Sequence, residues 1–252
     1  MSDYRDELRK QLANSDKPSI NEYLAYLYHL VSDEVSNSGQ ILEIGAGVGI
    51  SKKFMKNHRV YRTDFFDFPE NDVKGEIDAH ALPFKERSYK STIAIDMLHH
   101  LKNPITSLSE MKRVTDFENG GSIVLIEPYV SLFSYPIYRI FHTERTSNPW
   151  VTQYSEPFSS DMPEDGNQSL SRLLFTKPRG QKLLSIVFPP EFYSVELFVF
   201  SVFSFFITGG LSRPLPIPRK IVRLSLQFEG IIPQFLFRSL GSRCLIVVKE
   251  KL

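Results

Sequence analysis

The sequence predicts an α/β fold built around a largely parallel sheet. Short apolar runs typical of buried strands alternate with amphipathic segments typical of helices over the first half of the 252-residue chain. Gly45, Gly47 and Gly49 follow the first apolar run directly, and a polar segment of helical character comes next. Alternating strands and helices favour parallel strands joined by right-handed crossovers. A strand, a glycine turn and a helix form a unit that binds a nucleotide-like ligand.

Composition limits the number of domains and the classes of partner. With 42% apolar residues the chain can bury one core, so residues 1–252 are treated as a single domain. A formal net charge of +1 gives no overall attraction to nucleic acid, and we expect no nucleic-acid partner. The single cysteine, Cys244, excludes an internal disulfide and a cysteine metal cluster. The N-terminal segment MSDYRDELRK lacks the apolar core of a signal peptide, which predicts a cytoplasmic protein.

Residues 1–38 are predicted to form an N-terminal helical cap. A helix is expected from Ser19 to Val35, because the segment EYLAYLYHLV within it has an amphipathic pattern. Ser19 can cap this helix, and Glu22 can complete a capping box by accepting from the Ser19 backbone.

Five strands are predicted in order along residues 41–127. A helix SKKFMKN should follow the glycine turn, and a helix PITSLSEMKRV should cover the sheet with Ile105, Leu108 and Met111. The strands are ILEI, RVYRTD, the end of KGEIDA, STIAID and GGSIVLIE.

Each predicted strand contains a carboxylate near its end. In open α/β sheets the ligand lies outside the carboxyl ends of the strands, so these acids should converge on one rim. A row of acids beside a glycine turn favours a polar, partly cationic ligand. The acids are Glu43, Asp64, Asp78, Asp96 and Glu127.

The spacing of the glycines argues against a dinucleotide. Gly45, Gly47 and Gly49 are spaced G-x-G-x-G, whereas the dinucleotide pattern is G-x-G-x-x-G. Asp64 lies about twenty residues downstream, where the ribose hydroxyls of either kind of ligand would be bound.

Residues 41–127 resemble the class I S-adenosylmethionine-dependent methyltransferases, in their type 11 small-molecule branch. The resemblance rests on EIGAGVG, DAHALPF, IDMLHHL and MKRVTDFENGGSIVLIEP in that order. It implies a Rossmann-like methyltransferase fold, with a mostly parallel seven-stranded sheet and helices on both faces. It also implies S-adenosylmethionine as cofactor, with S-adenosylhomocysteine as product, and a cofactor-binding core over residues 39–128.

The resemblance assigns the cofactor contacts residue by residue. Glu43 would lie near the methionyl amine, Asp64 would hold the ribose hydroxyls and Asp78 would accept from the adenine amino group. Ala79 would pack beside the adenine ring. The remaining residues implied in cofactor binding are Gly45, Ala46, Gly47, Gly49, Asp96 and Met97.

His99 and His100 are the candidate catalytic residues. A hydroxyl acceptor must lose a proton, and histidine is the side chain whose pKa suits that task near neutral pH. The alternative is that one histidine packs beneath the cofactor while the other contacts the backbone. Tyr129, His142 and Glu144 are the candidate acceptor-binding residues. A metal site needs more ligands than His142 and Glu144 supply, so no metal is predicted.

The acceptor class follows partly from absences. The Asn/Asp-Pro-Pro-Tyr/Phe signature of amino-group methyltransferases is missing, and IDML stands in its place. Looser similarity to methyltransferases of bacterial surface-polysaccharide biosynthesis favours O-methylation of a sugar or lipid-linked glycan. The alternatives are a lipid or quinone-like acceptor, and a non-catalytic member that binds the cofactor or a partner.

Residues 129–252 are expected to form the acceptor region. FVFSVFSF and CLIVVKE resemble the sixth and seventh strands, the last one antiparallel, with an insertion over residues 209–243 between them. The window 195–211 contains Glu196 and a Gly pair, and favours a strand over a membrane span.

A basic amphipathic helix is predicted inside the insertion, with Ile221, Leu224 and Phe228 on one face. This helix is either a lid whose apolar face packs on the core or a peripheral contact with the inner membrane face. The membrane reading assigns the lipid contacts to Arg219, Lys220 and Arg223.

Overall fold

A single mixed sheet organises the chain. The computed structural model describes residues 2–142, 144–155 and 166–251, with the backbone alone at 2–5. Within these residues the sheet has six strands in the order β2-β1-β3-β4-β6-β5. The strands are β1 (Gln40–Ile44), β2 (Arg59–Thr63), β3 (Ser91–Ile95), β4 (Ser122–Pro128), β5 (Tyr193–Phe200) and β6 (Arg243–Glu250). β1 to β4 are parallel, whereas β6 runs antiparallel to both β4 and β5, as expected for the last strand.

Helices cover both faces of the sheet, because alternate side chains of each strand point to opposite sides. The helices are α1 (Ser2–Asn14), α2 (Pro18–Glu34), α3 (Pro104–Val114), α4 (Ser134–Phe141), α5 (Leu170–Thr176), α6 (Pro178–Val187), α7 (Ser204–Thr208), α8 (Arg219–Glu229) and α9 (Gln234–Leu240). Leu42 and Leu125 join a core with helices α3, α5, α6 and α9, whereas Ile41 and Val124 join a second core with α2, α7 and α8. No helix among the described residues is long and apolar enough to cross a membrane.

The third predicted strand does not form, which leaves six strands instead of seven. Residues 74–84 are a loop across the carboxyl ends of β1 to β3. The Ile77 N–H donates to the Asp64 carbonyl at 2.9 Å, and the Ala81 N–H donates to the Asp78 carbonyl at 3.1 Å. Ile77, Ala79 and Leu82 are nevertheless buried. The apolar residues that suggested a strand therefore fill the core from a loop.

Two predicted helix features are also wrong. α2 begins at Pro18, and its first turn has no side-chain cap. Glu22 instead accepts from Arg219 and from Arg223 Nε, the latter at 2.7 Å, so a long-range ion pair replaces the local capping box. After the glycine turn the expected helix is only a 3-10 turn over Ile50–Lys53.

The predicted sixth strand is shifted along the chain. β5 begins at Tyr193 and ends at Phe200, before most of the segment FVFSVFSF. Ser201 then has a φ of 60°, a left-handed conformation that interrupts an extended strand. Ser204 begins α7.

Glu229, at the end of α8, fixes the start of α7. Its Oε1 accepts the backbone N–H groups of Val202, Phe203 and Ser204 at 2.6 to 2.9 Å, and its Oε2 accepts from Ser204 Oγ at 2.7 Å. The side chain is 5% exposed, so these four bonds compensate a buried carboxylate. The insertion is thereby tied to the end of β5.

Replacing Glu229 by Ala should therefore lower the free energy of unfolding by about 3 kcal/mol, because buried N–H groups lose their acceptor. Urea denaturation would measure the loss. Glu250→Ala, at an exposed position on β6, is the control and should stay within about 0.5 kcal/mol of the parent. Equal stability of the two variants would show that Glu229 does not hold the insertion in place.

Candidate functional site

A cavity of about 430 Å³ opens at the carboxyl ends of β1, β2 and β3. β1 lies between β2 and β3, so the chain reverses its direction across the sheet at this point. Ligands of open α/β sheets bind at such a switch point. The lining residues are Ile44, Gly45, Asp64, Phe65, Phe66, Ile77, Asp78, Ala79, His80, Asp96, Met97, His100, Leu101, Lys102 and Asn103.

The glycine turn after β1 brings bare backbone to this cavity. Gly45 and Gly47 have φ values of 70° and 53°, which residues with a side chain rarely adopt. A Cβ on Gly45 would lie 2.3 Å from Met97 Cγ, so the close packing of these two residues requires glycine. Gly47 N–H donates to Asp64 Oδ2 at 2.8 Å. Ala46, Gly47 and Gly49 lie in the same turn but outside the lining.

Asp64 and Asp78 lie on one side of the cavity with opposite pKa shifts. Burial raises the pKa of Asp64, although the backbone N–H groups of Phe66 and Gly47 oppose the shift. At Asp78 burial also acts to raise the pKa, but the bonds from His80 outweigh it, and the pKa is lowered. The His80 backbone and ring nitrogens both contact Asp78 Oδ1, at 2.9 and 2.7 Å.

Asp96 follows β3 in a strained conformation. Its φ is 53°, which is uncommon for a residue with a side chain and is typical of binding sites. Its Oδ1 lies 2.7 Å from Nη2 of the buried Arg243 on β6. The last strand thus contributes a cation beside the cavity, which sequence reasoning missed because Arg243 is distant along the chain.

Glu43 precedes the lining residues Ile44 and Gly45 but does not itself line the cavity. Its carboxylate accepts from Ser51 Oγ and lies 3.7 Å from Arg62 Nε. Burial raises the pKa of this carboxyl to about 7. Glu43 therefore lies on β1, as predicted, but its carboxylate contacts Ser51 and Arg62.

Glu127, at the end of β4, binds the turn that contains both histidines. Its Oε1 accepts the backbone N–H groups of Met97 and Leu98 at 3.0 and 2.7 Å. Its Oε2 lies 2.6 Å from His99 Nδ1 and accepts the His99 N–H at 3.3 Å. The carboxylate has no exposed surface. It therefore fixes the 3-10 turn Leu98–His100 to the sheet.

His99 bridges two carboxylates. Its Nε2 lies 3.2 Å from Glu144 Oε2, opposite the contact with Glu127. Burial lowers the pKa of His99, but Glu127 and Glu144 outweigh burial and raise it to about 10. His99 is thus a buried imidazolium at neutral pH. Both ring nitrogens of His99 contact carboxylates, so of the two candidate bases only His100 lines the cavity.

His100 lies on the wall of the cavity and has the opposite charge state. Burial, together with the neighbouring His99 cation, lowers the pKa of His100 to about 4. The ring centroids of the two histidines are 4.1 Å apart. His100 is therefore neutral at pH 7 and faces the ligand space.

The predicted acceptor residues separate into two groups. Glu144 lies beside His99 and accepts from Gln168 Nε2, and the half-buried His142 interacts electrostatically with Glu144. Tyr129 is buried outside the lining, beneath Arg172, whose guanidinium carbon is 5.4 Å from its ring centroid. Sequence reasoning missed Gln168, which has no recognisable motif.

Gly166 covers the cluster of His99, His100 and Glu144. A Cβ there would lie 2.8 Å from His100 Nδ1 and 2.9 Å from Glu144 Oε2, so the close approach requires glycine. Ligand atoms of the three covered side chains lie within 4.8 Å of one another, close enough to share a cation. The His99 imidazolium between two carboxylates accounts for this geometry through ion pairs.

Replacing His99 by Ala should lower the free energy of unfolding by about 3 to 5 kcal/mol, because two buried carboxylates lose their cation. The raised pKa means that the His99 contribution is complete below pH 6.5 and is lost as the pH rises toward 10. The free energy of unfolding of the parent should therefore fall across this window, and the variant should lack that component.

Urea denaturation at intervals from pH 6.5 to 10 would measure this slope. His29→Ala, at an exposed position on α2, is the control and should retain the parent's pH dependence. An unchanged slope in His99→Ala would contradict the charged state assigned to His99.

Comparison with known proteins finds a family model that matches part of the chain and solved structures with a similar fold. Residues 42–125 match a family model described as a methyltransferase domain. No curated protein matches the sequence. A solved structure of a SAM-dependent methyltransferase from Archaeoglobus fulgidus is similar at 15% identity and a TM-score of 0.51, covering 91% of this chain and 94% of that chain. The YcgJ protein from Bacillus subtilis is similar at 14% identity and a TM-score of 0.47, covering 91% and 98%.

Proposed function

We propose that the chain is an S-adenosylmethionine-dependent methyltransferase, which the match of residues 42–125 to a methyltransferase family model supports, and that it methylates a hydroxyl oxygen of a small or lipid-linked acceptor. The acceptor class that we propose is a sugar or glycan of surface-polysaccharide biosynthesis, in the cytoplasm. The observation that supports hydroxyl chemistry is the position of His100 on the cavity wall, in the turn whose backbone Glu127 binds.

The cavity fits a cationic nucleoside cofactor. Its volume of about 430 Å³ lies in the range of small-molecule sites. Gly45 has no side chain, so a ligand can approach the backbone there. Asp64 would hold the ribose hydroxyls. Asp78 would accept from the adenine amino group, and Ala79 would lie beside the adenine ring. Asp96, which is paired with Arg243, is the third carboxylate of the cavity lining. When bound, this cofactor supplies an electrophilic methyl group.

His100 accepts the proton that the acceptor hydroxyl loses while its oxygen is methylated. The cofactor would supply the methyl group to the acceptor oxygen and would be released as the neutral thioether S-adenosylhomocysteine. His99 stays protonated between its two carboxylates and orients the turn. Burial, with a smaller contribution from the charge of His99, lowers the pKa of His100 and leaves it able to accept a proton.

Loss of the cofactor contacts should weaken binding of S-adenosylhomocysteine. Gly47→Val forces a β-branched residue into a left-handed conformation, and Asp64→Ala removes a carboxylate that can accept from the ribose hydroxyls. The loss at Asp64 should be about 1.5 to 3 kcal/mol, or roughly 10- to 150-fold in Kd.

Isothermal titration calorimetry would measure both affinities, and circular dichroism would check that the variants are folded. Asp67→Ala removes a carboxylate outside the cavity lining and should bind as the parent does. Unchanged affinity in both Gly47→Val and Asp64→Ala would reject this cavity as the cofactor site.

His100→Asn should lower turnover by roughly 10² to 10⁴ while cofactor affinity stays within a few fold. The assay follows transfer of labelled methyl groups to fractionated lipids and glycans of a cell extract, with identification of the product by mass. His29→Asn is the matched control at an exposed position. Equal turnover of the His100 variant and the parent would exclude His100 as the base.

The pH dependence of kcat/KM tests the same assignment. Since the pKa of His100 is lowered to about 4, its base form persists through the neutral range. We expect the His100 contribution to be lost only near pH 4. A loss centred at pH 6.5, where an ordinary exposed histidine titrates, would contradict the environment assigned to His100.

A further inference from the structure

Large apolar side chains are exposed along one side of the insertion. They follow one another along α8, the turn after it and α9, and we call them the insertion face. Its members, with their exposed fractions, are Ile221 (48%), Leu224 (50%), Phe228 (56%), Ile231 (76%) and Phe235 (72%).

The fold does not need this face for packing. α8 buries Val222 and Glu229 against the rest of the protein, and these residues lie on a different side of the helix from Leu224 and Phe228. Leu224 and Phe228 are about half exposed, whereas a closed lid would bury them. Soluble monomers seldom expose so many neighbouring apolar side chains without a binding partner.

The exposed charged side chains of the insertion, residues 209–243, all have one sign. Arg213, Lys220 and Arg238 are exposed, and the acid of α8, Glu229, is buried and fully bonded. Lys220 is four residues before Leu224, so the two lie side by side on the helix surface. Arg219 and Arg223 are bound to Glu22, which makes them anchors of α8 on α2.

We propose that the insertion face docks the protein on a lipid bilayer that contains anionic phospholipid. A helix with Phe and Leu on one face and cations beside them has the pattern of interfacial helices, whose apolar side chains enter the boundary between headgroups and acyl chains. The exposed positive charges are complementary to an anionic leaflet. This inference goes beyond the proposed function, because it requires neither cofactor binding nor methyl transfer.

Vesicle flotation at low salt tests the proposal directly. The parent protein should float with vesicles of phosphatidylcholine containing phosphatidylglycerol and should float far less with phosphatidylcholine alone. Phe228→Glu combined with Phe235→Glu should abolish flotation. Each cation near an anionic surface should strengthen vesicle binding about fivefold. Replacing Arg213, Lys220 and Arg238 together by Gln should therefore weaken vesicle binding on the order of a hundredfold.

Matched controls come from α6, where Ile186 and Lys182 are also exposed. Ile186→Glu and Lys182→Gln should float like the parent, and calorimetry with S-adenosylhomocysteine should show that every variant still binds the cofactor. If the double variant Phe228→Glu with Phe235→Glu fails to fold, the triple Gln variant still tests the proposal.

Failure of the parent to float with anionic vesicles would overturn the proposal. Equal flotation of the parent and the insertion-face variants would also overturn it. A dimer in light scattering that Phe228→Glu dissociates, with no vesicle binding, would assign the face to a second copy of the chain instead. Loss of methyl transfer without loss of flotation would concern the proposed function alone.

Discussion

The buried carboxylate of Glu127 is the interaction on which the site depends. It lies at the end of β4, in the middle of the sheet, and accepts backbone N–H groups from the turn that follows β3. Through this turn it positions Met97 against Gly45 and His100 on the cavity wall. Two strand ends that are separate in sequence thereby form one surface.

A carboxylate without solvent contact needs a compensating charge, and His99 provides it. His99 in turn contacts Glu144, whose Oε2 also accepts a hydrogen bond from Gln168 Nε2. Buried groups of this kind are costly unless every member is paired, so the network tolerates few rearrangements. The rigidity favours catalysis, because methyl transfer depends on a fixed direction and distance between donor and nucleophile.

The sequence predicted the parts of the fold that depend on local pattern. β1 to β4, helix α3, the glycine turn and the carboxylates around the cavity all follow from apolar periodicity and residue type. The features that failed depend on distant partners. Ser19 and Glu22 have the spacing of a capping box, yet Glu22 binds two arginines about two hundred residues away. Residues 74–84 have a strand-like pattern, but their apolar side chains enter the core from a loop.

The two histidines show the same limit within the site. They are neighbours of one residue type, so nothing in the sequence separates a base from a positioning residue. The structure separates them because Glu127 and Glu144 lie on either side of His99, whereas His100 faces the cavity. The family resemblance identified both histidines as site residues. Their different charge states follow only from the tertiary contacts of each ring.

The central claim, that the cavity beside the Glu127 turn holds the cofactor, is tested most directly by a crystal structure with S-adenosylhomocysteine. We expect the ribose hydroxyls within hydrogen-bond distance of Asp64, the adenine beside Ala79 and the sulfur on the side of the cavity that His100 lines. A ligand bound elsewhere on the protein, or an empty cavity at saturating ligand, would contradict the account.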